Sequence, residues 1–160
     1  MQEEEKKTIW DSLKRCEAIV QENLKHIGEP EEAELRSIAN ERLAVELLTF
    51  STFVADVAHM SQTEKDHVEQ MFEHMKLELM QEKVEDYPEL DKVVPQRIPG
   101  MPANKAESTV KTDLSYIVAL SALRDIQKSA EVLKRKQRSL ESILDQSRSR
   151  LSLVSKGLPS

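Results

Sequence analysis

An all-α fold, an elongated coiled coil or helical hairpin with a small bundle region, is predicted by three observations. Glycine occurs only 3 times in 160 residues, and the chain is dominated by Glu, Lys, Leu, Gln, Arg and Ala, side chains that lose little freedom on a helix. Aromatic residues make up 4% and charged residues 32%, too little bulk for a large compact core and typical of long solvated helices. Apolar residues recur at alternating spacings of three and four, the period of helices that pair.

The first helix is expected over residues 3–27, where Ile9, Leu13, Cys16, Val20, Asn23 and Ile27 form a seam with one polar member. Cys16 reads as a small seam residue, because no adjacent histidine or basic cluster would activate its thiol. As a single cysteine it has no internal disulfide partner, in keeping with a reducing compartment. Gly28 and Pro30 mark the stop of this helix and the start of the next.

A long acidic helix is expected over residues 31–87. Its stretch RLAVELLTFSTFVADVAHM places apolar residues on most sides, Val45 and Leu48 as well as Leu43, Leu47, Phe50, Val54 and Val57, which predicts a helix surrounded inside a bundle of three or four. Ser61 and Glu64 spell a capping box that would permit a kink or restart there. Beyond it Val68, Phe72, Met75 and Leu79 resume the four-three repeat. Met71, Met75 and Met80 read mainly as filling for that seam.

Pro88, Pro95, Pro99, Pro102 and Gly100 crowd into residues 88–107, which are read as a joint, since each proline removes a backbone donor and restricts its neighbour. A basic coiled-coil helix follows over residues 108–156. Tyr116, Ala119, Leu123, Ile126, Ala130, Leu133, Gln137, Leu140, Leu144, Ser147, Leu151 and Val154 keep a strict repeat there, before Gly157 and Pro159 stop it. The candidate partner-binding seam is Tyr116, Leu123, Ile126, Leu133, Gln137, Leu140, Leu144, Leu151 and Val154. Its flanking positions carry Lys134, Lys136, Arg148 and Arg150, and charges there select partners.

Charge is unevenly distributed. Residues 1–92 hold 11 Lys+Arg against 23 Asp+Glu, whereas residues 93–160 hold 12 against 6. The halves can attract each other or recruit partners of opposite sign. No aromatic interleaves the basic run KRKQR, so base stacking, and with it nucleic acid, is not expected.

No glycine-rich phosphate loop, nucleophile elbow or Cys-x-x-Cys pair occurs, and no catalytic, cofactor-binding or metal site is expected. The acid-x-x-His pairs Asp56/His59 and Glu64/His67 lie on one helix, whereas di-iron bundles draw such pairs from separate helices. His67 and His74 are two turns apart, too far to share a zinc ion as neighbours. The N-terminus MQEEEKKTIW lacks a signal-peptide core, and no apolar run is read as long enough to cross a bilayer, so a soluble intracellular protein is expected.

The layout, a long acidic helix ending at EDYPELDKVVP, a joint, and a second helix running through SYIVALSALRDIQ to KRKQRSLESILDQ, resembles the small coiled-coil subunits of microtubule-associated assemblies, notably augmin and, less closely, the kinetochore complexes. The resemblance implies a scaffold subunit of a hetero-oligomer at the spindle or centrosome, acting in microtubule organisation and cell division, with microtubules as a direct or indirect partner. Gln137, a lone glutamine in an apolar seam, also resembles a SNARE helix and implies an alternative in vesicle tethering, although the repeat stops sooner after the glutamine than a SNARE motif does. A third class, an interaction module controlled by phosphorylation, rests on Ser139 after KRKQR and Ser152 after RSRL.

Overall fold

The structure, a computed structural model, describes residues 2–24 and 33–157. It is about 82% helical, with four helices and a minor two-stranded sheet, as the composition requires. In order these are α1 (Glu3–Asn23), α2 (Ala33–Met80), β1 (Lys83–Glu89), β2 (Lys92–Ile98), α3 (Ala103–Thr112) and α4 (Leu114–Ser155). The chain divides into two compact units, one of Met1–Met60 with Ile126–Ser160 and one of Ser61–Asp125.

The first unit is a three-helix bundle. Glu3, Glu4 and Glu5 place negative charge on the positive end of the α1 dipole, and the Gln2 amide donates to the Glu5 carboxylate at 3.4 Å. One groove brings Glu22 of α1 beside Ile38 of α2 and another brings Glu4 beside Met60, so these helices are antiparallel. Lys6 beside Lys128 and Val20 beside Ile143 make α1 parallel to α4.

The core combines Ile9, Leu13, Cys16 and Ile19 of α1 with Leu43, Leu47, Phe50, Val54 and Val57 of α2 and Ala130, Leu140 and Leu144 of α4. Each large aliphatic side chain so buried contributes about 1.5–3 kcal/mol. In α1 the buried face is wider than the expected seam, because it meets two helices: Ser12 and Ile19 join it, and Val20 is half-buried. The expectations for the Asn23 side chain and for Ile27 lie outside the described residues.

The boundaries in the middle of the chain differ from those expected. Helix α2 runs through Ser61 without a restart and ends at Met80 rather than 87. Its end is closed by the segment leaving β2, since the Met101 amide donates to the Leu79 carbonyl at 2.8 Å. Gly100 packs so tightly on the Met80 carbonyl that a side-chain carbon there would collide with it.

The expected joint over 88–107 is largely a β-hairpin. Lys83–Glu89 pairs antiparallel with Lys92–Ile98 around Leu90–Asp91. With a two-residue loop, Glu89↔Lys92 is a hydrogen-bonded pair and bonding alternates from there. Pro88↔Val93 and Asp86↔Pro95 therefore fall on non-bonded pairs, so neither proline removes a ladder bond. Both instead delete a donor from an outward edge, which blunts it against strand addition.

The last helix is also divided. Asp113 ends α3, and its Oδ1 accepts the Ser115 amide at 2.9 Å and the Tyr116 amide at 3.4 Å, capping α4. In this second unit Lys76 Nζ donates to the Glu107 carboxylate at 2.9 Å, and the Phe72 and Tyr116 rings meet at 5.5 Å between centroids. This ion pair raises the Lys76 pKa and lowers that of Glu107.

Two outcomes follow from this packing. Phe50→Ala, at a position with no exposure, should cost about 3–5 kcal/mol in urea unfolding. Leu90 sits fully exposed at φ 54°, in the left-handed region, where a side chain is disfavoured by about 1–2 kcal/mol. Leu90→Gly should slow hydrogen exchange of the hairpin amides several-fold while leaving the bundle's unfolding midpoint unchanged.

Candidate partner-binding surface

The seam of α4 is largely occupied by the chain's own helices. Leu140 and Leu144 are buried in the bundle core and Leu133 packs against it half-buried. Leu123 is buried and Tyr116 half-buried in the second unit, while Ile126, Gln137, Leu151 and Val154 are half-buried. The seam thus lies along the less exposed side of α4, and much of the apolar surface read as awaiting a partner is satisfied internally.

The flanking cations behave differently. Lys134, Lys136 and Arg148 are exposed and Arg150 is half-buried, and among the described residues none of the four forms an ion pair. Lys136 shares a small groove with Glu17 of α1. Arg135 pairs only with Glu131, one turn back on the same helix. Ser139 and Ser152 are exposed on α4.

Polar residues in the core set the register. Gln137 donates its amide to Glu141 at 2.8 Å along its own helix, so it does not cross to a neighbour. The polar contact that does cross joins Ser147 Oγ of α4 to Asn40 Oδ1 of α2 at 2.7 Å, with both side chains buried. Arg36, one turn before Asn40, is buried as well. Arg36, Asn40, Leu43, Leu47, Phe50, Val54 and Val57 keep a strict four-three spacing, a signal present in the sequence but obscured by the apolar residues between them.

Those intervening residues form a second surface. Ile38, Glu41, Val45, Leu48, Thr52 and Ala55 repeat at three-four spacing on the opposite side of α2, and all six are exposed. Val45 and Leu48 are 67% and 71% exposed, contrary to the expectation of a helix surrounded on most sides. Beside this stripe, α1 and α2 enclose a groove of about 510 Å³ floored by Ala18, Ile19, Ile38 and Val45 and spanned by the Arg15–Glu46 ion pair at 3.2 Å.

The chain matches no family model, no curated protein and no solved structure. Its own geometry therefore carries the functional reading.

A test of length and composition alone neither upholds nor overturns the expectation that no apolar run crosses a bilayer. Helix α2 contains an 18-residue window that meets that test by length and composition, and only 28% of the window is buried. Its inner face is nevertheless part of the bundle core. Among the described residues no three His, Cys, Asp or Glu side chains converge as metal ligands. Glu64 lies 4.0 Å from His67 and Glu78 lies 3.4 Å from His74, each along one helix.

Cys16 is enclosed in the core, and burial, reinforced by the negative charge of Glu46, pushes its thiol up to about 11. It should resist a thiol-exchange reagent at pH 8 in the folded chain and react within seconds to minutes once urea opens the bundle. Rapid labelling of the native chain would contradict this enclosure.

Proposed function

We propose that this chain is a non-enzymatic structural subunit of a hetero-oligomeric coiled-coil complex. The observation that carries this reading is the exposed heptad stripe of α2, with Ile38, Val45 and Leu48 facing away from the core. An apolar seam on the outer side of a helix that already has a complete inner seam is the arrangement of a helix shared between two bundles. Helix α1 covers part of its flank and leaves a groove of about 510 Å³ beside it. The unpaired cations of α4 add a polar means of choosing among partners.

The setting we propose is the cytoskeleton, in microtubule organisation at the spindle or centrosome during cell division. That assignment rests on the resemblance in helical layout to augmin and kinetochore subunits. The cationic flank of α4 suits contact with an acidic polymer such as the microtubule surface, made directly or through the assembled complex.

The test uses Val45→Glu with Leu48→Glu, which places charge on the stripe without touching the core. The double variant should keep its helical signal and its stability to within about 0.5 kcal/mol, as exposed substitutions do. Affinity purification of the full chain from cells should recover other coiled-coil proteins in fixed stoichiometry, and the double variant should lose them. The recovered complex should cosediment with microtubules and not with liposomes. A monomeric chain with no stoichiometric partner, or a partner set indifferent to the substitutions, would overturn the subunit reading; cosedimentation with liposomes would favour membrane tethering.

A further inference from the structure

The geometry points to a second docking site, independent of the α2 stripe: the groove between α1 and α4, which receives an acidic amphipathic helix from a partner protein. The groove has a volume of about 410 Å³ and an apolar lining that includes Ile9, Trp10, Val132 and Leu133. Trp10, the only tryptophan in the chain, is 56% exposed, and Val132 of the facing helix is 46% exposed. An indole and a branched side chain left open at one helix junction provide the kind of apolar anchor around which helix-in-groove contacts form.

Charge identifies the occupant. Lys6 and Lys128 stand on the two walls, and among the described residues no carboxylate lines the groove, although the chain carries a net charge of −6. Lys14 lies over the Trp10 ring, 5.5 Å from its centroid. Lys6, Trp10 and Lys14 are spaced four residues apart and so share one face of α1. Further along the same pair of helices lies a separate, smaller cleft of about 170 Å³, with Lys136 on its α4 wall and Glu17 on its α1 wall. Two parallel helices with an apolar floor and cationic rims suit a third helix that offers leucine-like residues to the floor and carboxylates to the rims.

Trp10 is itself the reporter. A tryptophan-free amphipathic peptide of three heptads, with leucine at the seam and glutamate at both flanks, should move the Trp10 emission of the full chain to shorter wavelength, saturably and more weakly at high salt. The same peptide with lysine flanks should leave it unchanged. Lys6→Glu with Lys128→Glu should lower affinity for the glutamate peptide at least tenfold without altering the circular dichroism of the chain. Lys6→Gln with Lys128→Gln, a milder pair, should lower it less.

Equal response to both peptides, or to neither, would overturn the inference. So would a shift produced by concentrating the chain alone, which would assign the groove to a second copy. A shift with phosphatidylserine vesicles but not with the glutamate peptide would assign it to a membrane surface and also overturn it. Val45→Glu with Leu48→Glu should leave the Trp10 response intact, so this site and the α2 stripe succeed or fail separately.

Discussion

The buried contact between Ser147 and Asn40 joins residues 107 apart in sequence, and the register of the first unit depends on it. Apolar side chains along a heptad seam tolerate a slip of one repeat, because leucine meets leucine in either alignment. A buried hydroxyl and amide do not, since a slip would leave each in an apolar environment without a partner, at about 1–3 kcal/mol per group. Aligning α4 on α2 at this point places Leu140 and Leu144 opposite the α2 core face, and α1 then covers both helices with Ile9, Leu13 and Cys16. The contact is incomplete, for Asn40 Nδ2 finds no hydrogen-bond partner among the described residues. Such a group costs stability and restricts alternatives, the trade associated with polar residues in helical seams.

Two neighbours, α1 and α4, can cover only part of α2. A helix in a bundle buries an arc of its surface, and the stretch from Arg36 to Val57 commits that arc to the four-three row centred on Phe50. Ile38, Val45 and Leu48 lie outside the arc and stay exposed, Ile38 and Val45 bordering the groove that α1 forms beside them. Apolar width beyond what the chain itself can bury is costly in water, and its arrangement as a second heptad row is the feature on which the proposed partner helix rests. The same surplus explains why the helix meets a compositional test for membrane spans while its inner face builds a core.

How much of this was legible varied with the kind of signal. The helical class followed from three glycines and the long periodic rows, and the α4 row could be followed residue by residue because only Val132 and Ile143 stand as apolar residues beside it from Leu133 to Leu144. In α2 two rows share one helix, so apolarity on most sides concealed the polar members Arg36 and Asn40 and with them the register contact. The hairpin was hidden by its own chemistry. Leu90–Asp91 is not a turn pair that advertises left-handed backbone, and prolines argue against strands unless they fall on non-bonded pairs, as Pro88 and Pro95 do. Asp113, an ordinary acid within a helical pattern, gave no sign that it ends one helix and caps the next. The groove at Trp10 required three dimensions, since Lys6 and Lys128 are 122 positions apart in sequence.

Folding does not exhaust the charge asymmetry of the chain. The acidic and basic halves can attract each other, yet among the described residues the ion pair that links helices in the first unit is Arg15–Glu46, between α1 and α2. Among the described residues the ion pair of α4 is Arg135–Glu131, along its own axis. Among the described residues it meets its neighbours through apolar contact and the Ser147–Asn40 hydroxyl–amide bond, neither of which salt screens strongly. The cations that frame its seam therefore remain available to carboxylates from outside the chain. Ionic strength should accordingly act more on association than on the fold, because charges at a solvent-exposed rim are screened while the apolar core is not.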